Sequence, residues 1–585
     1  MDYDFPFACF DTEDDSEDIG ERIHSGDSTA SFFNKRVTQI KSITAEGEHY
    51  YNPGNIDEFM KYVQRKAERG IRYWYANNIS YDLGNLFRKK LDSIDKTLVG
   101  GRTIKGQVGK VVFVDVFNHW QMSVKKLGEV FGLEKLETES MSEDEAYVTR
   151  DVEIIREAML YVWRFARSLG IENVPPTLGS LGIQLWRHWG GQTIHESGEI
   201  CRDAIFGGRV ELFKTGNTDK KRTGTVAYTD INSLYPFAMT KAFPGVLEDT
   251  KGKIKEFGIV QATVKKVASG KWGVTSKDSA IVVLPYRDEK GKIYYPYGEF
   301  TGVWTVAELM EAERSGYNIK KIHTTYCTDE KVYPYRDYVN RIYAIRKAST
   351  NKVEKTFYKL LMNTLYGRLG NSGKISRTVW QTERNRYDGV PFGEKVLVDY
   401  MMPLGEEVNW GHAAYVTSYG RLELLKYLRI IGAERMIYCD TDSVIFDCPD
   451  EIPFETGDDL GQMKIEYSCS VCRDDWHDSP GKPKCPGAFK HPRRDFCFCW
   501  APKQYRIDNQ YKAKGVPKAK QKEFIEQGKA EYDMPFKFRE ACRFYDRGNS
   551  KALSVWHTVE KHNNAHYDKK ILLGNRFFPL RINDV

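Results

Sequence analysis

The sequence predicts a multidomain protein of mixed α/β and α+β class, and three observations carry that prediction. At 585 residues the chain exceeds one core, and the usual ~100 to 200 residues per domain gives roughly three to five units. Short β-type runs at Phe5 to Phe10, Ile71 to Ala76 and around 438–443 alternate with longer stretches of helical apolar spacing at Glu143 to Arg164 and in 336–369. A hydrophobic content of 41% beside 29% charged residues is that of an ordinary globular chain with ample material for buried cores.

Composition narrows the function classes. With 87 Lys and Arg residues and a 13% aromatic share the chain suits nucleic acid, but a net charge of +6 is mild, so clustering has to carry that argument. The N-terminus, MDYDFPFACFDTEDD, has neither a basic segment nor an apolar core of signal-peptide type, and no window holds a membrane-length apolar run. The expectation is a soluble, cytoplasmic protein with no membrane partner. Eleven cysteines, five of them between 469 and 499, fit thiols or a metal better than a disulfide framework in a chain of this size.

Along the chain, Phe5 to Phe10 reads as a strand leading into Asp11-Thr12-Glu13, where alternation points Asp11 and Glu13 to one face. Asp14, Asp15, Glu17 and Asp18 read as solvated loop charges. Ile71 to Ala76 reads as a buried strand, after which Asn77-Asn78-Ile79-Ser80-Tyr81-Asp82 opens a helix. The helical pattern from Glu143 to Arg164 sets Tyr147 and Asp151 four apart on one face. Four carboxylates from three segments can hold two metal ions about 3.5 to 4 Å apart, with Tyr147 orienting a water for attack on a phosphodiester.

A second carboxylate set follows. The run TVAYTDINSLYPFAMTK, 225–241, reads as a strand that reaches Asp230 and turns into a short helix. Residues 336–369 read as two helices, the second starting near Asn351 with Glu354 three later, as in a capping box. Along it Lys352, Lys355, Lys359, Asn363 and Tyr366 share one stripe, and Val353, Phe357, Leu360, Leu361 and Thr364 another. In YCDTDS, 438–443, flanking apolar runs read as a hairpin with Asp440 and Asp442 at its tip. An isolated Asp-Thr-Asp is also what a solvated turn carries, and paired carboxylates become a magnesium-type site when a substrate phosphate joins them.

These segments resemble the motifs of proofreading family B DNA polymerases, in the order that family uses. DTE, NNISYD and YVTRD resemble its three exonuclease motifs, DINSLYP its motif A, KLLMNTLYG its motif B, TSYGR its T-x-x-G-R motif, YCDTDS its motif C and Lys503-Gln504-Tyr505 its K-x-Y motif. The resemblance implies an RNase H-like exonuclease followed by a right-hand polymerase of palm, fingers and thumb. It makes Asp11, Glu13, Asp82 and Asp151 exonuclease metal ligands, with Asn78 and Tyr81 touching the single-stranded 3′ end. Asp230 and Asp442 would hold the polymerase metals with help from the Ile231 carbonyl, and Asp440 would support them. Tyr235 would exclude a 2′-hydroxyl, Lys347 and Lys359 would neutralise triphosphate charge, and Asn363 and Tyr366 would frame the nascent base pair. Thr417 and Arg421 would contact the template; Lys503 and Tyr505 would hold the primer terminus. The pattern departs from the family at three places. Ile205-Phe206-Gly207-Gly208 keeps the glycines of a Tyr-x-Gly-Gly linker but not its tyrosine, Asp115-Val116-Phe117-Asn118 stands where the family has a Ser/Thr-Leu pair, and Lys135 is the candidate for the lysine before the third exonuclease motif.

Residues 242–334 and 371–410 interrupt this order with strand and Gly/Pro-rich turn signals, NSGK and RYDGVPFGEK among them. Their positions resemble the two terminal-protein regions of the protein-primed, phage phi29-type subgroup. That implies an exonuclease at 1–190, palm at 191–241 and 411–515, fingers at 335–370 and thumb at 516–585, with Lys512-Ala513-Lys514-Gly515 gripping duplex phosphates. It also implies a processive, strand-displacing monomer acting on primer-template and single-stranded DNA with dNTPs and a terminal priming protein. Such a chain would replicate a linear phage or plasmid genome in the host cytoplasm, with two magnesium ions per active site and manganese as a substitute. A primer-independent polymerase or primase and a catalytically silent nucleic-acid-binding scaffold stay open as alternatives. Cys469-x-x-Cys472, with Cys485 and His491, offers four zinc-type ligands, and His477, Cys497 and Cys499 lie nearby; free thiols on a loop and its adjoining strand are the other reading.

Overall fold

In the computed structural model the described residues are 5–585 without 26–27, 88–90, 139, 142, 195–197, 216–225, 268–280, 381–388, 449–451, 469–496, 508–509, 536–537, 540–541, 543–554, 563–566 and 574–575. They divide into two units. The first comprises residues 1–190, 342–405 and 531–560, the second residues 191–341, 406–530 and 561–585.

The first unit is built on a mixed sheet. Its central strand, Phe7–Ser25, runs antiparallel to Ser28–Thr44 and parallel to Tyr73–Ala76, which lies parallel to Val111–Asp115. Phe7, Ala8, Cys9 and Phe10 are all fully buried, as a continuous apolar run in a strand covered on both faces should be. The strand does not stop where a loop is expected. Asp14, Asp15, Ser16, Glu17 and Asp18 stay in the ladder opposite Val37, Arg36, Lys35, Asn34 and Phe33, which corrects the loop reading. Asp15 opposite Arg36 is the kind of cross-strand pairing that offsets the low strand propensity of aspartate.

The long helix Glu145–Ser168 is capped by Asp144, whose side chain accepts from the Tyr147 N–H, and it buries Val148, Val152, Ile155 and Met159. Trp163 on this helix stacks on Phe7 with ring centroids 5.6 Å apart. Asn351 caps Lys352–Leu369 by accepting from the N–H groups of Val353 and Glu354. Phe357 of that helix packs against Trp120, Tyr161 and Phe165 at 5.5, 5.1 and 5.0 Å. Within 371–410 the strands Lys374–Trp380, Gly389–Phe392 and Lys395–Met401 form hairpin-type pairings, and the first of them joins the main sheet beside Asp95–Val99.

The second unit holds a five-stranded antiparallel sheet in the order Met463–Ser468, Val226–Ile231, Ser443–Asp447, Met436–Asp440, Val210–Leu212. Ala227, Ile231, Leu424, Leu428, Val444 and Phe446 share one apolar core, so helix Trp410–Ile431 covers one face of this sheet. Within 242–334 the strands Glu248–Asp249, Tyr317–Thr328, Phe257–Lys266 and Gly298–Thr305 make a separate sheet, followed by helix Val306–Arg314. Among the described residues no helix is long and apolar enough to cross a membrane.

Candidate active sites

The first carboxylate set converges in the first unit. Asp11 and Glu13 are partly exposed on one face of their strand while Thr12 between them is buried on the other. Thr12 donates to Oδ1 of Asp82 from its backbone N–H at 3.1 Å and from its hydroxyl at 2.9 Å. Burial raises the pKa of Asp11 well above the carboxylate range, and the charges of Asp82, Glu13 and Asp151 add to that rise while Lys135 opposes it. Burial also pushes Asp82 up to about 8 against the bonds from Thr12. The Lys135 ammonium donates to Asp151 and stands 4.4 Å from the Tyr147 ring centre, so it bridges the acid and the phenol of the long helix.

The strand side is shaped by Asp115. Its carboxylate accepts from the N–H groups of Asn78 at 3.1 Å and Phe117 at 2.9 Å and from Arg102 at 3.1 Å. Asn78 is exposed with φ 63°, a left-handed conformation that asparagine tolerates and Asp115 holds. Tyr81 donates to Asp14 at 2.7 Å. Thr12 and Asp115 were not assigned roles from sequence. Strand alternation is the signal for Thr12; for Asp115 it is the place of residues 115–118 where the family has a Ser/Thr-Leu pair.

The second set sits at one end of the five-stranded sheet. Antiparallel register places Asp230 opposite Ser443, and the Ile231 N–H donates to the Asp442 carbonyl at 2.7 Å, so the strand ending in Asp230 and the turn carrying Asp442 are tied together. Asp440 pairs with Ser443 across a two-residue turn in which Thr441 has φ 60°. Gly208 lies flush against this turn: a Cβ there would come within 2.4 Å of Thr441 Oγ1. The neighbouring Arg209 carbonyl accepts from the Thr441 N–H at 2.8 Å. Asp440 accepts from Lys503 through both oxygens at 2.8 Å and from Tyr438 at 3.0 Å, and the Lys503 N–H donates to the Tyr438 hydroxyl at 2.9 Å. Tyr505 bonds Tyr228, whose pKa is raised by burial and by Asp230. Asp230, Asp440, Asp442, Lys503, Tyr505, Lys512 and Lys514 line a cavity of about 670 Å³.

Other predicted residues are placed differently. Thr417 is fully buried and bonds carbonyls of its own helix, Ala414 at 3.1 Å among them, and Arg421 is buried on Glu308 at 2.8 Å. Arg421 also donates to the carbonyls of Phe206 and Gly207, both at 2.9 Å. The expected template contact of Thr417 and Arg421 is therefore corrected: they face protein, and Arg421 holds the segment that bears Gly207 and Gly208. No sequence signal marked Glu308. Tyr235 packs on Gly420, where a Cβ would lie 3.1 Å from the tyrosine ring. Lys347, Lys359 and Asn363 are exposed and Tyr366 is partly buried. Cys469, Cys472, His477, Cys485 and His491 lie outside the described residues. Cys497 and Cys499 are buried in an apolar cluster with Leu212, Ile437 and Ile507.

The donor sets fit hard divalent cations. Oδ2 of Asp82 and Oδ1 of Asp151 are buried without a hydrogen-bond partner, and oxygen-only carboxylate sets are what magnesium selects. Among the described residues no three His, Cys, Asp or Glu side chains form a ready-made cage, so a substrate oxygen or water would have to complete either site.

Comparison with known proteins agrees with this architecture. The family described as DNA polymerase type B, organellar and viral, matches residues 140–388. A probable DNA polymerase of Ascobolus immersus is 29% identical over 295 residues, 46% of this chain and 23% of the relative. The DNA polymerase of Bacillus phage phi29 is 23% identical over 503 residues, 74% of this chain and 80% of the relative. The chain spans between 23% and 41% of the length of the first fungal relatives it matches. The structure of phi29 DNA polymerase with primer-template DNA and incoming nucleotide superposes with a TM-score of 0.63 at 16% identity, covering 90% of this chain and 96% of that one. In motif order, in the family match over residues 140–388 and in fold, this chain is similar to the family B DNA polymerases of phi29 type.

Proposed function

We propose that the chain is a DNA-directed DNA polymerase with a 3′–5′ exonuclease, protein-primed, strand-displacing and processive. The observation that carries the reading is the register that sets Asp230 beside Asp442 at the edge of a cavity lined by Lys503, Lys512 and Lys514. Synthesis is in-line attack of a primer 3′-hydroxyl on the α-phosphate of a dNTP, with pyrophosphate leaving. Two divalent ions on Asp230 and Asp442, magnesium or manganese, would supply Lewis-acid stabilisation of the attacking and leaving oxygens. The chain's own residues do the positioning. Lys503 holds Asp440 and, with Lys512 and Lys514, presents cationic ends to primer phosphates. Tyr235, backed by Gly420, fills the space that a 2′-hydroxyl needs. The resemblance assigns Lys347 and Lys359 to the triphosphate and Asn363 and Tyr366 to the base pair.

In the first unit Asp11, Glu13, Asp82 and Asp151 would hold the ions for hydrolysis, Tyr147 and Lys135 would orient the attacking water, and Asn78 and Tyr81 would meet the strand. The phi29 polymerase has been solved with primer-template DNA and with single-stranded DNA, the two ligands these two sites would take. Priming by a terminal protein is supported by the separate sheet in 242–334 and by the added strands in 371–410, which stand where that subgroup carries its insertions.

The test is extension of a 5′-labelled primer on a circular template with magnesium and four dNTPs, beside a lane without dNTPs. Products many times the circle length, with a degradation ladder in the second lane, are the expected result. Short products would refute processive displacement, and no change in either lane with folded protein would refute the enzyme reading.

A further inference from the structure

Thr12 occupies the middle of the first acidic motif, yet it is fully buried and turned away from the face that Asp11 and Glu13 share. Its hydroxyl donates to Oδ1 of Asp82 at 2.9 Å and its N–H donates to the same oxygen at 3.1 Å. The hydroxyl in turn accepts from Nδ2 of Asn85 at 3.0 Å. Asp82 is 0% exposed and Asn85 2% exposed, so the chain of bonds runs through protein. The Asn85 amide can only donate at that contact, so the Thr12 proton is committed to Asp82. A carboxylate about its last torsion is broad and roughly two-fold, and two donors on one oxygen remove that freedom. The other oxygen, Oδ2, is buried and has no hydrogen-bond partner.

We propose that Thr12 and Asn85 are positioning residues of the first-unit metal site: Thr12 binds Oδ1 of Asp82 and Asn85 fixes the Thr12 hydroxyl, so that Oδ2 is the oxygen presented to a divalent cation at the site of Asp11, Glu13 and Asp151. The proposal rests on the exonuclease reading above. It separates the roles of alternate residues on one strand, since Asp11 and Glu13 supply ligands and Thr12 aims a ligand carried by another segment. Partners that orient metal ligands typically change metal affinity about 10- to 100-fold when removed.

The test uses the full chain carrying Asp230→Asn and Asp442→Asn, so that manganese binding reports the first unit. Isothermal titration with Mn²⁺ is compared for Thr12 intact, Thr12→Val, Thr12→Ser and Asn85→Leu, with circular dichroism as the check of folding. Valine keeps the volume of threonine and removes the hydroxyl. The expected result is a rise in Kd of about 10- to 100-fold for Thr12→Val, a smaller rise for Asn85→Leu, and recovery with Thr12→Ser. The Mg²⁺ concentration giving half-maximal exonuclease rate should shift in parallel, with KM for single-stranded DNA unmoved. Unchanged Mn²⁺ affinity in folded Thr12→Val, or in Asn85→Leu where the valine variant fails to fold, overturns the positioning role alone. Absence of Mn²⁺ binding with Thr12 intact, or binding that Asp82→Asn leaves untouched, overturns the metal-site reading and this proposal with it.

Discussion

Lys503 donates to both carboxylate oxygens of Asp440 at 2.8 Å, joining a turn at 503 to the hairpin tip at 440. Lys503 itself has φ 61°, and its N–H is bound to the Tyr438 hydroxyl at 2.9 Å. The lysine is thus fixed at its backbone as well as at its ammonium, and the first acid of the hairpin is held in an ion pair.

Replacing Lys503 by alanine should therefore misplace the hairpin tip and remove one cationic contact for the primer. Single-turnover incorporation is expected to fall by roughly 100-fold, the scale of a small misplacement at a reacting centre. Degradation of single strands should be unchanged, because the carboxylates assigned to it lie in the other unit. Equal loss of both activities would show that the variant is misfolded rather than mispositioned.

The same separation gives a reciprocal pair. Asp442→Asn should abolish extension and spare digestion, and Asp11→Ala with Glu13→Ala should do the reverse. A labelled primer followed with and without dNTPs reads both, and loss of both activities in either variant would mean that the sites depend on each other.

Tyr235 lies against Gly420 without room for a further carbon at a relaxed distance, since a Cβ at 420 would be 3.1 Å from the ring. Tyr235→Val should admit ribonucleotides, and Gly420→Ala should shift the same preference by moving the ring. The dNTP-to-rNTP ratio of kcat/KM is the measurement, and a ratio unaltered in Tyr235→Val removes the gate role.

Arg421 and Glu308 are 4% and 1% exposed and 2.8 Å apart. Removing one partner leaves a buried charge, so Glu308→Gln and Arg421→Met should each cost about 3 to 5 kcal/mol. Urea unfolding checks the magnitude. Arg421→Lys should fail to rescue, because one ammonium cannot replace a planar fork that reaches Glu308 and the carbonyls of Phe206 and Gly207 together.

His412 is buried between the Tyr335 hydroxyl at 2.7 Å from Nδ1 and the Pro244 carbonyl at 2.8 Å from Nε2. Nε2 donates to the carbonyl, so Nδ1 accepts from the tyrosine, and the ring is held neutral. Burial lowers its pKa from 6.5 to about 4. The unfolded chain therefore binds a proton that the folded chain refuses as pH falls from about 6.5 to about 4. Stability should drop across that window by roughly 3 kcal/mol from this group, with no further loss from it below the folded pKa. His412→Gln should flatten that part of a urea-unfolding profile taken against pH.

Much of this was legible in the residues because it is local. Alternation in Phe5 to Glu13 put Asp11 and Glu13 on one face, the capping pair Asn351 and Glu354 started a helix, and apolar runs around YCDTDS closed a hairpin. Each depends on neighbours a few positions away, where backbone geometry fixes the period. The strand through Asp14 to Asp18 was not legible, since what keeps those acids in a ladder is the partner strand and not their propensity.

The sequence by itself determined which residue types reach each carboxylate set and in what order they occur along the chain. Only the tertiary structure decided who holds whom: Lys503 on Asp440, Arg421 on Glu308 and the Phe206 and Gly207 carbonyls, Thr12 on Asp82, and Cys497 with Cys499 in the core. The reason is physical. A local pattern is set by torsions and period, whereas the partner of a buried donor is chosen by whichever unsatisfied acceptor the packed elements bring within about 3 Å, and that choice exists only once the sheets and helices have closed.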